Sequence, residues 1–280
     1  MRPRRPVAAL LAAAVLALLT GCAQSVDPIE RLGRKAAQRV HTGSPHPHGA
    51  VTAALPPYRR WGLDAPLARA PKPSGRPLAG PAASGLAPVV DHVPTRDRVV
   101  FLTYDDAAER DPRFVDMVRE LRLPVSVFLT DDVVGPGYAH FAHLMAVGAS
   151  VQNHTLDHTA LRGLPYAGQR AEICRQQDKI RARFGVRPRL LRPPYGVYDT
   201  VTRRAAAGCG VSALVLGRAA ATADGGLRFT AGEHRLLPGD IVSVGSDEQA
   251  GGTSLRERTT ALLRRAGREG LTVARLEDYL

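Results

Sequence analysis

From Pro94 onward the sequence alternates short apolar runs with amphipathic helical stretches, and no other feature restricts the fold of this 280-residue chain so strongly. The first run is Val99-Val100-Phe101-Leu102-Thr103. Asp111-Pro112 then reads as a helix start, because proline is accommodated in a first turn, and Phe114, Met117, Val118 and Leu121 follow at helical spacing. Residues 124–129 read as a second strand, 138–147 as a helix and 149–152 as a third strand. A long helix over 167–184 leads to Arg189-Leu190-Leu191, another begins near Asp199, and strands follow at 211–216 and 240–244. Ser254 and Glu257 have capping-box spacing ahead of a last helix that carries Leu255, Leu262 and Leu263, and 271–276 makes a closing strand. This order predicts an α/β fold with parallel strands, and the element count suits a closed or nearly closed (β/α) barrel better than a two-layer sheet.

The N-terminal third has a different character. Arg2, Arg4 and Arg5 precede an apolar run over 7–19, too short to span a bilayer comfortably, so residues 1–21 read as an export signal. The run ends at Leu19-Thr20-Gly21-Cys22, which resembles a bacterial lipobox. That resemblance implies lipidation of Cys22 and a membrane-anchored protein on the outer face; the alternative is an ordinary secretory signal with an incidental cysteine. Residues 22–91 are rich in Pro, Ala, Gly and Arg and read as an extended tether, with a possible short helix over 28–40 and with Tyr58 and Trp61 able to dock on the domain. His41, His46 and His48 fall in this tether and read as solvated. One domain over 92–280 is therefore expected, as a monomer.

The net charge of +12 does not indicate a nucleic-acid partner. Residues 1–97 hold 13 Lys/Arg against 5 Asp/Glu, and residues 98–280 hold 25 against 21, so most of the excess lies in the signal and tether. There it can lean on anionic lipid or wall polymer. After Cys22 only Cys174 and Cys209 remain, and export permits a disulfide between them as readily as two buried thiols.

Three motifs carry chemistry. Asp105 and Asp106 close the first strand, where barrel enzymes place catalytic groups, and adjacent carboxylates need a cation or an arginine to compensate them. His154 and His158 follow the third strand at i and i+4, which points both rings one way if the segment turns helically. Two imidazoles and a carboxylate make a three-ligand metal site with open positions, a catalytic arrangement rather than a structural one. Arg192-Pro193-Pro194-Tyr195-Gly196 follows the next strand as a stiff loop suited to presenting an N–H and a guanidinium.

In order and spacing these motifs resemble those of the polysaccharide deacetylase (NodB-homology) family of carbohydrate esterases, of the types TFDDG, H(S/T)xxH and RxPYG. The likeness runs from about residue 92 to the C-terminus and includes Phe128-Leu129 and the segment 271–280. It implies a distorted (β/α) barrel and a divalent metal, zinc first and cobalt or another next, bound by Asp106, His154 and His158. It further implies that Asp105 acts as general base, that Arg192 orients it and keeps it ionised, and that the Tyr195 N–H helps stabilise the oxyanion. The expected reaction is hydrolysis of an N-acetyl group, less often an O-acetyl group, on cell-wall or extracellular polysaccharide such as peptidoglycan.

The chain departs from that pattern in four places. Tyr104 stands for Phe, and Ala107 for the Gly after the Asp pair. Gly245 sits where the family's fifth motif supplies a histidine that protonates the leaving amine, and the fourth motif is not recognisable in Leu216-Gly217-Arg218-Ala219-Ala220. Loss of a general acid typically costs about 10²–10⁴-fold in rate. His92 and His234 read as surface residues rather than replacements. Besides a slow deacetylase, the sequence thus allows a catalytically impaired, metal-containing glycan-binding domain, or a hydrolase of a different amide or ester.

Overall fold

The computed structural model describes residues 55–73, 75, 85–106, 111–245 and 253–280. The signal, Cys22, the candidate helix over 28–40, the three tether histidines and Ala107 lie outside the described residues. From residue 55 onward the chain packs as one unit.

The order of elements is α1 (Pro57–Arg60), β1 (Val89–Val90), β2 (Val99–Tyr104), α2 (Pro112–Leu121), β3 (Val125–Leu129), α3 (Asp131–Val134), α4 (Tyr138–Ala146) and β4 (Ser150–Asn153). It continues with α5 (Tyr166–Phe184), β5 (Leu190–Leu191), α6 (Thr200–Gly208), β6 (Ala213–Val215), β7 (Ala219–Ala221), β8 (Leu227–Phe229), β9 (Ile241–Val244), α7 (Leu255–Arg268), β10 (Thr272–Val273) and α8 (Leu276–Tyr279).

The strands lie in the order β1-β6-β5-β4-β3-β2-β9-β7-β8, with β10 alongside β2, and every pairing is parallel except β7 with β8. The sheet curls into a distorted half-barrel. The segment after β1 draws the curl toward closure: Val93 N–H donates to Gly239 O at 2.8 Å, and His92 bridges to Asp240. Gly239 has φ +93°, and a Cβ there would fall 2.0 Å from Val93 O, so this approach needs glycine. All six residues of β2 and all five of β3 are buried, as expected of parallel strands covered on both faces.

Local signals account for the helices around the sheet. Asp111 caps α2 ahead of Pro112, and both capping boxes form, Asp199 with Thr202 on α6 and Ser254 with Glu257 on α7. On α2 the positions Phe114, Met117 and Val118 are buried, as their spacing predicts. Cys174 on α5 and Cys209 at the end of α6 form a disulfide with Cα atoms 5.1 Å apart, resolving the two readings of those cysteines.

Three expectations need correction. Residues 55–73 and 85–91 are not wholly extended tether, since α1 and β1 form within them; the docking expected of Tyr58 and Trp61 does occur, Trp61 Nε1 donating to Glu120 Oε2 at 2.6 Å. Apolar residues such as Leu63, which is buried against the core, outweigh the Pro-rich composition there. The closing strand is only Thr272–Val273: Ala274 N–H still donates to Val100 O at 3.0 Å, but the chain enters α8 at Leu276. The hairpin of β7 and β8 was not foreseen, its strands being only three residues each.

Candidate active site and metal centre

Register decides which residues meet. Asn153 pairs with both Leu129 and Leu191, so Thr130, His154 and Arg192 emerge level at the C-terminal ends of β3, β4 and β5. Tyr104 pairs with Val244, so Asp105 and Gly245 emerge level beside them. The strand ends open into a cleft of about 620 Å³ lined by Asp105, Asp106, His154, His158, Arg192 and Tyr195, the six residues that the motifs single out.

Asp105 is held by Arg192, whose Nη1 donates to Oδ1 at 2.7 Å. The guanidinium is itself fixed: Nη2 donates to Thr103 Oγ1 at 2.6 Å, and the group stacks over the Phe128 ring at 4.4 Å. Arg192 is only 5% exposed, so this charge is desolvated against its partner. Burial pushes the Asp105 carboxyl up, but the charges of Arg192 and His154, with hydrogen bonds from Arg192 and Ser243, bring it below its ordinary range. The result is a carboxylate kept ionised. Asp106 differs: burial pushes it up to about 7, the Asp105 charge adds to that, and hydrogen bonds from Thr130 oppose it.

The histidines are oriented by the backbone rather than by a helix. His154 Nδ1 lies 2.8 Å from Arg192 O, which makes Nδ1 the protonated nitrogen and leaves Nε2 as an acceptor. His158 reaches it through a turn in which Thr155 (φ 74°) and His158 (φ 54°) take left-handed conformations. The helical turn that would point both rings one way does not form over 154–158. A β-branched residue in that region is strained by about 1–3 kcal/mol, and the Asn153 side chain supports it, accepting from Thr155 N–H at 2.8 Å and donating to Ile173 O at 2.9 Å.

These three side chains fit a divalent cation. One donor atom each from Asp106, His154 and His158 lie within 4.8 Å of one another. His154 Nε2 and His158 Nε2 face each other at 3.2 Å, so two ring nitrogens converge on the same point with a carboxylate beside them. Burial, largest at His154, lowers the pKa of both rings and favours the neutral form that ligates. Tyr195, with φ 59°, sets its ring edge-on to His158 with centroids 4.9 Å apart and is 72% exposed at the rim.

The rest of the lining is Leu216, Gly217, Ala219, Ala220, Thr230, Ser243 and Gly245. Among the described residues, a Cβ at Gly245 would meet nothing within 4 Å, so the position that the resemblance gives to the acid histidine has room for a side chain. Arg218, inside the unrecognised fourth motif, turns away from the cleft and forms a two-pronged pair with Asp240. Its remaining donors hold Ala231 O, Glu233 O and Arg235 O, which fixes the loop that carries Thr230. His92 sits on Asp240 at 3.3 Å and His234 near Phe229, and neither lines the cleft.

Sequence reasoning missed Thr103, Thr130 and Ser243. Thr103 and Ser243 could have been found as polar residues inside the apolar runs of β2 and β9. Ser243 Oγ lies 3.4 Å from Asp105 Oδ2, and Thr130 N–H donates to Asp106.

Residues 92–214 match the family model for polysaccharide deacetylases. This segment belongs to the polysaccharide deacetylase family. A Streptomyces coelicolor protein described only as uncharacterized is 54% identical over 249 residues, covering 85% of this family member and 99% of its own length. A chitooligosaccharide deacetylase from Bradyrhizobium is 28% identical over 120 residues, 42% of this chain and 55% of that one. The fold is shared with a Bacillus anthracis pseudoenzyme of carbohydrate esterase family 4, at a TM-score of 0.55 and 16% identity over 65% of each chain. A mutant of that pseudoenzyme with restored enzymatic activity has the same fold, also at a TM-score of 0.55.

Proposed function

We propose that this family member is a metal-dependent hydrolase that removes acetyl groups from amino-sugar residues of a cell-wall or extracellular polysaccharide. The observation that carries this reading is the 2.7 Å pair of Arg192 with Asp105 beside the converging donors of Asp106, His154 and His158. A base held ionised next to a three-ligand cation site is a hydrolytic arrangement. Asp106, His154 and His158 would hold a divalent cation, zinc by the choice of donors, which would supply Lewis acidity toward water and an acyl oxygen.

The protein's own residues then have distinct tasks. Asp105 takes a proton from the attacking water as its oxygen bonds to the acyl carbon, and Arg192 keeps Asp105 ionised until then. The Tyr195 N–H is assigned to the developing oxyanion. As the C–N bond breaks the amine must gain a proton, and with Gly245 in the acid position Asp105 is the group left to return it. Acetate and the free amine are the products. The Leu19-Thr20-Gly21-Cys22 sequence supports an extracytoplasmic lipoprotein held to the membrane through Cys22, which would place the cleft near wall polymers.

The room for a side chain at Gly245 favours a second reading, a catalytically impaired domain that keeps the metal site and binds glycan. The Bacillus anthracis pseudoenzyme gives this weight, since a protein of like fold is described as inactive and as restorable. Acetate release decides between them: the protein is loaded in turn with zinc and cobalt and given acetylated chitin oligomers and peptidoglycan beside a His154→Ala control. Metal-dependent release that the variant loses supports the hydrolase. Stoichiometric metal binding without release, together with glycan retention, supports the binding domain.

A further inference from the structure

At the opposite end of the strands from the catalytic cleft, a second cavity of about 630 Å³ lies between the stretch 63–71 and the end of α7 with β10. That stretch is pinned by its carbonyls. Gly62 O accepts from Arg264 Nε at 2.7 Å and Ala68 O from Thr272 Oγ1 at 2.6 Å, while Pro71 O lies 3.4 Å from the Tyr279 hydroxyl, whose proton is shared with Asp97 Oδ2 at 3.0 Å. Between the pins it arches over the domain without filling the space beneath, since Pro66 and Pro71 stiffen it and Ala65, Ala68 and Gly267 line the gap with little bulk. The size falls in the range of about 300–1,000 Å³ typical of small-molecule pockets.

Its chemistry is lopsided. Leu263, Leu271 and Val273 form a buried apolar floor, while Arg98, Arg264 and Arg268 line it as exposed side chains. Asp64 is the single carboxylate of the lining, and among the described residues none of the three arginines forms an ion pair. Arg98 directs Nε and Nη2 to the carbonyls of Gly270 and Glu269, and Arg264 directs Nε to that of Gly62. Among the described residues no carboxylate pairs with these charges at the edge of the apolar slot, so the complementary occupant has an apolar body and one anionic end.

We infer that this groove binds a single-chain amphiphile of the fatty-carboxylate class, with the alkyl chain on Leu263, Leu271 and Val273 and the carboxylate at Arg98, Arg264 and Arg268. The site is independent of the cleft and of the deacetylase reading.

Trp61, the protein's single tryptophan, directly precedes the pinned Gly62 and reports on the groove. The full-length protein is titrated with myristate below its micellar concentration, following Trp61 fluorescence, with methyl myristate and myristyl trimethylammonium as uncharged and cationic controls. Two variants accompany it. Gly267→Leu fills the groove, and it should fold because among the described residues a Cβ at Gly267 meets nothing within 4 Å and leucine suits a helix better. Arg268→Glu reverses one charge. The expected result is a saturable Trp61 change with myristate that weakens at least about tenfold in either variant and with either control, thermal unfolding being unchanged. Absence of a saturable change in the natural protein, equal binding by both variants, or equal binding of the methyl ester would overturn the inference.

Discussion

Arg192 holds Asp105 through a 2.7 Å contact between Nη1 and Oδ1, and the arginine is itself held by Thr103 and Phe128. A charge so fixed lowers the carboxyl's pKa without having to move. Replacing Arg192 by Gln removes the charge and leaves Asp105 buried, so its pKa must rise. Because a base works in its ionised form, the acidic limb of the rate profile moves to higher pH, and activity at neutral pH falls by about 10²-fold or more. A pH–rate profile of the variant checks this; an unmoved acidic limb would mean that Asp105 is not the base.

Metal removal has a readout that needs no substrate. Asp106, His154 and His158 bring a carboxylate and two ring nitrogens together, and burial has already made the carboxylate costly to ionise. A cation that binds only the folded protein stabilises it by about 2.7 kcal/mol at a free concentration one hundred times its Kd. The natural protein should therefore bind one zinc ion per chain and melt several degrees higher with it than in chelator. His154→Ala should lose both the stoichiometric ion and the shift, as elemental analysis and calorimetry can show.

Gly245 marks the sharpest divergence from the family pattern, and its surroundings make that divergence reversible. Among the described residues no atom lies within 4 Å of a Cβ built there, and Asp105 emerges level with it across the β2–β9 pairing. Gly245→His should fold normally and raise kcat on N-acetyl substrates by about 10²-fold or more if the missing acid limits turnover. Progress curves for the two proteins under identical metal loading settle the matter. An unchanged rate would place the limitation in substrate binding instead.

These predictions rest partly on sequence and partly on geometry that sequence could not supply. The six motif residues were legible because their types are unusual where they stand: adjacent acids at a strand end, histidines four apart, an arginine before two prolines. The route by which His158 reaches His154 was not legible, since i and i+4 spacing implies a helix and nothing in the residue names announces left-handed backbone at Thr155. Arg218 was read as part of a degraded motif, whereas its guanidinium organises the loop over 231–235, a contact with no local pattern. The elements within 55–91 were missed for a similar reason. Proline-rich composition describes chain stiffness and says little about whether Leu63 finds a buried site.

Asp199 offers a test of the scaffold apart from the chemistry. Burial pushes its carboxyl up, but it accepts from Thr202 N–H at 2.8 Å, from the Thr202 hydroxyl at 3.0 Å and from Gly163 N–H at 3.3 Å, and these hold it below its ordinary range. A carboxylate lowered on folding contributes stability that is fully present above its unfolded pKa of about 3.9 and is lost as pH falls through the folded value. Asp199→Ala should therefore cost about 0.5–2 kcal/mol at pH 7, the usual range for losing an N-cap. Its deficit against the natural protein should shrink as the pH drops below about 4, because the natural carboxyl then protonates and loses most of its advantage. Parallel urea unfolding of both proteins between neutral and acidic pH measures that convergence. A deficit independent of pH would mean that the residue acts through packing and neutral hydrogen bonds, with no contribution from its charge at the start of α6.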